Sequence, residues 1–530
     1  MSEAPAFFPD RYAAEQPDKP AYVMAPSGET VTYRQLVERS CRAAHAMRAL
    51  GTGPGACVAI MMENHRRYLE LAWAAQRAGL RYTAISPRLT ASEVAYVLED
   101  SGTRLLFVSE TTAAVAGEAA QQVPAVSARI AVDGDIAGFE SYDGLVAGQP
   151  ATPLDDEAEG LEFLYSSGTT GRPKAIKAEL ALDPIGTPAT LVPLLGRLYD
   201  FGSDTVYLSP APLYHSAPLR FNMAVHRLGG TTIVMDKFDA ASTLELIERY
   251  AVTHAQMVPT MFIRMLRLPD EERLRHDLSS LRAVIHAAAP CPIDVKREMI
   301  EWLGPIVYEY YSATEIYLLT AIDPQEWLAH PGSVGRAQVG TPHILDDEGN
   351  ELPPGQAGTI WSEGGLSFEY HNAPEKTAES RNARGWTTVG DVGHLDADAY
   401  LYLSDRKADM IISGGVNIYP QEAENVLVTH SAVTDAAVFG IPHPELGEEV
   451  KGVVQVGVGA RPSPELEAEL LSHCHQRLAK YKCPRTIDFV DQLPREPTGK
   501  LYKRLLRERY RARWPAESRD RRAAAGSGAA

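Results

Sequence analysis

The stretch Leu161–Leu180, LEFLYSSGTTGRPKAIKAEL, runs from an apolar lead straight into a segment that cannot build a core. Between Tyr165 and Lys174 stand Ser166, Ser167, Gly168, Thr169, Thr170, Gly171, Pro173 and the lysine itself. Glycine lets backbone N–H groups approach an anion with no Cβ in the way, hydroxyls add donors, and lysine adds a mobile positive charge. The segment therefore reads as a phosphate-holding loop. It is not the ordinary nucleotide loop G-x4-G-K-[ST]: Gly168 and Gly171 are three apart, and Pro173 fills the second glycine's position and removes a donor. Taken alone, the segment leaves a plain mobile surface turn as the lesser alternative.

Outward from this loop, helical and strand-like patterns alternate. RRYLELAWAAQRAG has apolar residues at helical spacing and ends on Gly79, LRYTAI and RLLFVSE read as strands, and SPRLTASEVAYVLEDSG reads as a loop and a capped helix. The pattern continues through TTIVMDKF, STLELIERYAV, HAQMVP and LRAVIHAAA, which predicts an α/β fold with a largely parallel sheet. From about Gly340 the texture becomes rich in Gly and Pro, the mark of a small β-rich subdomain. A compact α+β unit follows, with strands DAAVFGI, KGVVQVGV and TIDFV and a helix from about Pro464 to Lys480. The expected division is a large domain over 1–404, a small one over 405–514 and a disordered tail over 515–530.

At 530 residues the chain is too long for one core. Its net charge of -18 argues against general binding to nucleic acid or a membrane surface, because an acidic field repels phosphates. No membrane span and no signal peptide stand out. The five cysteines form no CxxC pair, which suits a reduced, cytoplasmic protein. His473-Cys474-His475 suggests a metal only superficially, since neighbours on a helix face different ways.

Seven segments in order, YSSGTTGRPK, PLYHSAP, HAAAPCP, YYSATE, GWTTVGD, SDRKADMIISGGVNIYP and PREPTGK, carry a resemblance to the adenylate-forming enzymes over about residues 10–510. That family includes acyl- and aryl-CoA synthetases, luciferases and peptide-synthetase adenylation domains. The resemblance implies a two-step reaction. A carboxylate attacks the α-phosphate of ATP to give acyl-AMP and pyrophosphate, and a thiol, usually that of coenzyme A, then attacks the acyl carbon.

The resemblance also implies roles. Ser166, Ser167, Gly168, Thr169, Thr170, Gly171 and Lys174 would cradle the β- and γ-phosphates, with Thr170 counted among the catalytic groups. Tyr311 would stack on adenine, Ser312 and Thr314 would lie at the nucleotide, and Glu315 would hold Mg2+ with phosphates and waters completing its shell. Ala288, Ala289 and Pro290 would meet the flat base, although a tight exit from a strand explains them as well. Asp391 would accept the ribose hydroxyls with Arg406 nearby, the alternative being a structural ion pair. Lys500 would meet the carboxylate and α-phosphate as charge develops there. Rotation about a hinge at Asp405 would then withdraw Lys500 and bring in Gly414 and Gly415 to line a channel for coenzyme A, unless these form a plain turn. His215, Thr260 and Ala287 would border the acyl pocket, with a packed core histidine as the alternative for His215. The basic run KLYKRLLRER reads as a solvated helix face or a contact for coenzyme A phosphates.

Two residues depart from the family pattern: Ala175, where glycine is usual, and Glu496, where a neutral residue is expected. The function classes are an acyl-CoA synthetase, an adenylating enzyme that serves a carrier protein in trans, and a non-catalytic module, with a luciferase as a remoter variant. Intact Lys174, Glu315, Asp391 and Lys500 argue against the non-catalytic reading. HAAAPCP, FEYHNAPEKTAESRNARGWTT and LAKYKCPRT resemble synthetases that act on bulky aryl, steroid or terpenoid acids as well as fatty ones. A homodimer is compatible with the sequence.

Overall fold

The computed structural model describes residues 7–25, 27–166, 174–187, 191–457, 459–495 and 501–512. The chain forms two compact units, one of residues 1–257, 264–286 and 366–379, the other of 258–263, 287–365 and 380–530. The expected boundary at Ser404–Asp405 lies inside the second unit, and the tail 515–530 lies outside the described residues.

In the first unit, a six-stranded sheet has the order Glu140–Ser141, Ala128–Ala131, Thr103–Val108, Cys57–Met61, Arg81–Ile85, Leu161–Glu162. Every pairing in it is parallel. The period of two along the central strands sorts the core. Val58, Ile60, Leu105 and Phe107 join a cluster with Leu36, Tyr68 and Trp73, from the helices Tyr33–Ala49 and Tyr68–Arg77. Ala59, Met61, Leu106 and Val108 face the opposite way, onto Val94, Leu98 and Ala116 of the helices Ala91–Asp100 and Ala113–Gln121. With both faces covered, Cys57–Met61 is buried throughout, which is why it reads as a continuous apolar run. The Ala91–Asp100 helix starts on a capping box of Thr90 and Glu93.

A second sheet of this unit runs Ala283–His286, His254–Met257, Val206–Ser209, Thr231–Val234, Pro20–Met24, Glu29–Thr32, parallel except at the last edge. A three-stranded antiparallel sheet joins Tyr165–Ser166, Lys174–Lys177 and Glu369–Tyr370.

The second unit begins with antiparallel pairing well before Gly340. Strands Val307–Ser312, Leu319–Ile322, Ser333–Val339, Leu401–Arg406, Asp391–Leu395, Gly358–Glu363 and Thr341–Leu345 follow one another across the sheet. The alternating burial of Val307–Ser312 is the sign of a strand with one face packed.

Its remaining sheet orders Val416–Ile418, Ile411–Ser413, Gly447–Val456 and Val433–His443, with Thr486–Val490 parallel to Gly447–Val456. The helices Pro420–Val428 and Pro464–His475 pack Leu427 and Leu470 onto Val438, Val454 and Ile487. The second helix ends at His475 rather than near Lys480. Cys474 lies in this core while the His473 ring bonds to the Val426 carbonyl and Thr429, and no metal-binding cluster occurs among the described residues.

Candidate active site

Alternation along Val307–Ser312 turns Tyr311 inward. Its hydroxyl donates to Asp391 Oδ2 at 2.6 Å and lies 2.7 Å from the Tyr317 hydroxyl. Each phenol has one proton, so Tyr317 donates to Tyr311, which donates to Asp391. Asp391 opens its strand directly opposite Arg406, the last residue of Leu401–Arg406, and Arg406 Nε stands 3.3 Å from Asp391 Oδ1. The Asp391 side chain is only 10% exposed. Burial pushes both phenols well above their ordinary range, so they stay protonated donors. The Asp391 charge raises the pKa of Arg406.

Tyr311, Asp391 and Arg406 are thus brought together, and Tyr317, absent from the sequence reading, completes the group. Only the pairing of Ser312 with Leu319 brings Tyr317 back beside Tyr311. Asp391 meets each neighbour with a different oxygen, Tyr311 with Oδ2 and Arg406 with Oδ1. A carboxylate has about four acceptor positions, so capacity for two vicinal hydroxyls remains alongside the structural ion pair.

Ser312 Oγ donates to the Leu318 carbonyl at 2.8 Å and closes the turn between the two strands. Thr314 and Glu315 stand half-buried on that turn. The Glu315 charge acts on both Tyr317 and Arg406.

Ala287 is buried and Ala288 is exposed, with φ at +74°. A non-glycine residue there carries left-handed strain of the kind that collects at functional turns. Ala289 and Pro290 follow, half-buried. Thr260 lies in the first turn of the helix Pro259–Leu266.

In the first unit, Ser166 pairs directly with Lys174, so the glycine-rich segment is closed at its base by antiparallel strands. Ser167, Gly168, Thr169, Thr170 and Gly171 lie outside the described residues. The Lys174 ammonium stands 5.6 Å from the centroid of the Tyr370 ring, on the neighbouring strand. Ala175 is fully buried against Phe163 and Cys57, where its methyl adds to packing. His215 is the N-cap of the helix Ser216–Arg227 and is half-buried, its ring 4.6 Å from that of Tyr214.

Asp405 follows the same logic as a distant cap. Its Oδ2 accepts from the backbone N–H of Gln421 at 3.0 Å, in the first turn of the helix Pro420–Val428, whose own N-cap side chain makes no such bond. Burial raises the Asp405 pKa, with Lys503 acting against the rise. Gly414 and Gly415 form the two-residue turn between Ile411–Ser413 and Val416–Ile418. Their φ values of +59° and +80° are those of a hairpin turn that favours glycine at both positions.

Lys500 and Glu496 lie outside the described residues, but Arg495 pairs with Leu501, so this segment too is closed at its base. Arg495 is clamped by Asp435 through Nε at 2.5 Å and Nη2 at 2.7 Å. The basic run beyond is not one solvated face. Lys503 is buried and 2.9 Å from the equally buried Glu424, Leu506 and Tyr510 face a core, and Arg507 donates to the carbonyls of Ala408 and Asp409. Arg504 and Arg509 are exposed.

Comparison with known proteins finds two family models on the chain: "AMP-binding enzyme" over residues 9–369 and "AMP-binding enzyme C-terminal domain" over 422–500. The chain is 32% identical to a fatty acid–[acyl-carrier-protein] ligase, ScoC, from Streptomyces coeruleorubidus, covering 94% of this chain and 95% of that one. It is 35% identical to a feruloyl-CoA synthase from an Amycolatopsis species, over 91% and 94% of the two chains. Among solved structures, ATP-bound MatB from Rhodopseudomonas palustris is similar with a TM-score of 0.81 at 30% identity, covering 96% of this chain and 99% of that one.

Proposed function

Since the chain belongs to the AMP-binding enzyme family, we propose that it converts a carboxylic acid and ATP to acyl-AMP and pyrophosphate, then transfers the acyl group to the thiol of coenzyme A with release of AMP. The observation that carries this reading is the buried group of Tyr311, Tyr317, Asp391 and Arg406. It holds a carboxylate oriented and with acceptor capacity to spare, which is what recognition of a ribose diol requires.

In this reading Lys174 and the 166–171 segment hold the triphosphate, Tyr311 presents its ring to adenine, and Lys500 stabilises the charge that builds as the carboxylate attacks the α-phosphate. Glu315 suits Mg2+: a half-exposed carboxylate on a turn offers one oxygen ligand, and a cation that arrives with phosphates and waters needs few more from protein. Asp405 serves as the hinge, and the Gly414–Gly415 turn lines the path of the thiol. The domain division at 404/405 belongs to the same reading.

The acid we assign is bulky, aryl or ring-bearing, because the small side chains at Ala287–Ala289 leave width beside the adenylate; the resemblance to a feruloyl-CoA synthase supports this. A straight chain would leave such a pocket partly unfilled, at a cost of roughly 0.8 kcal/mol per unmatched methylene. The resemblance to ScoC favours a second reading, in which a carrier-protein thiol is the acceptor.

One experiment separates these: pyrophosphate exchange over a panel of aryl, ring-bearing and straight-chain acids, then thioester formation with coenzyme A or a phosphopantetheinylated carrier protein. Higher kcat/KM for a bulky acid, with coenzyme A as acceptor, is the expected result. Ala287→Leu should then impair the bulky acid more than octanoate. Preference for octanoate or palmitate in the unaltered enzyme overturns the substrate reading, and no exchange with any acid overturns the reaction.

A further inference from the structure

Open parallel sheets bind ligands outside the carboxyl ends of their strands. The six-stranded sheet of the first unit has a cavity of about 430 Å³ at its opposite edge, where Cys57 and Arg81 begin their strands. Among the described residues its lining includes Arg81, Arg104, Lys177 and His371, and no carboxylate, in a chain whose net charge is -18. The neighbouring Asp100 has its carboxylate engaged: Tyr165 donates to one oxygen at 2.7 Å and Asn372 to the other at 3.0 Å. His371 Nε2 is committed to the Asp100 carbonyl at 3.0 Å.

Arg81 is the telling member. Its guanidinium lies 5.4 Å from the Phe163 ring centroid, and Nη2 donates to the Ala178 carbonyl at 3.0 Å. Nη1 is enclosed and has no hydrogen-bond partner among the described residues. Burial lowers the Arg81 pKa, and the Cys57 thiol acts against the fall. A half-buried cation with no counter-ion among the described residues is costly, and two further cations, Arg104 and Lys177, stand exposed at the same cavity.

We propose that this cavity is an anion site that takes a phosphate group, free or on a small metabolite, between Arg81, Arg104 and Lys177. Arg104 has paired N–H donors for phosphate and Lys177 a point charge, while Arg81, its Nη2 on the Ala178 carbonyl and its Nη1 enclosed, adds its positive charge from the cavity wall, so the set suits a tetrahedral dianion. Phe163 gives the Arg81 guanidinium an aromatic surface to rest on.

The test is equilibrium dialysis of the full chain against radiolabelled inorganic phosphate at low ionic strength. A non-hydrolysable ATP analogue is kept saturating, so that the nucleotide loop is covered. One phosphate per chain is expected, and Arg104→Glu with Lys177→Glu, both exposed, should weaken it by about tenfold or more while ATP–pyrophosphate exchange is unchanged. Arg81→Met should abolish binding yet hold or raise the urea midpoint, because it removes an uncompensated charge. Tighter binding of ribose 5-phosphate than of inorganic phosphate would identify a phosphorylated metabolite as the ligand, and the reverse order the free ion. Absence of bound phosphate and of bound ribose 5-phosphate, or equal affinity in the wild type and the double glutamate variant, overturns the proposal.

Discussion

Single side chains decide how much of the candidate site is already set. Ala288 sits at φ +74°, where glycine has no penalty and alanine carries roughly 1 kcal/mol or more. Because glycine also gains entropy in the unfolded chain, Ala288→Gly should stabilise by only about 0.5–1 kcal/mol. Urea denaturation measures this directly; an unchanged or lower midpoint would mean that the backbone strain is offset locally. Lys500 is the residue assigned to the first transition state alone. Lys500→Ala should therefore abolish acyl-adenylate formation and largely spare thioester formation from supplied acyl-AMP. Equal loss in both half-reactions would remove the assignment.

At the scale of elements, both segments assigned to the adenylation step are flanked by an antiparallel pair of residues, Ser166 with Lys174 and Arg495 with Leu501. Bringing the two ends of such a segment together limits the entropy that ordering it on a ligand would cost. The proposed hinge is different in kind. Asp405 caps the Pro420–Val428 helix through Gln421 and lies in the field of Lys503, itself paired with Glu424. Asp405→Pro should leave adenylation measurable and cripple thioester formation, since proline fixes φ where the chain must change it. The variant should also lose about 1 kcal/mol of stability with the cap. Asp405→Asn, which keeps an acceptor, separates the two effects. If Asp405→Pro is fully active in both half-reactions, the hinge lies elsewhere.

For the whole molecule, buried histidines tie stability to pH. His226 accepts from Trp73 Nε1 on Nδ1 at 3.0 Å and lies 3.0 Å from the Ala21 carbonyl through Nε2, which fixes a neutral ring. Burial lowers its pKa to about 3 and that of His254 to about 4, against 6.5 for an unburied imidazole. Both are depressed in the folded state. Their contribution is therefore complete above pH 6.5 and is lost as pH falls toward 4 and then 3, by at most ~1.4 kcal/mol per pH unit for each histidine. Urea midpoints across pH 7.5 to about pH 4.5 should show this decline, and His226→Gln, which keeps the hydrogen-bonding capacity without titrating, should flatten it. An identical slope in the variant would exclude His226 as a contributor.

What the sequence by itself determined is whatever rests on local pattern. The α/β character of the first unit follows from apolar runs and helical spacing, the ends of its helices from Thr90 with Glu93 and from Gly79, and the family from motifs whose chemistry is written in consecutive residues. Tertiary structure decided what depends on residues far apart in the chain. Tyr317 completes the Asp391 group because an antiparallel turn returns it to Tyr311. In the second unit antiparallel pairing begins at Val307, although the Gly- and Pro-rich texture that suggested a β subdomain begins near Gly340, because the strand Val307–Ser312 is marked only by alternating burial. Lys503 is buried in a run that reads as solvated, since Glu424, 79 positions earlier, supplies its counter-charge. Local spacing fixes which face of an element is apolar; which partner arrives at that face, and with what charge, is set only when the sheets assemble.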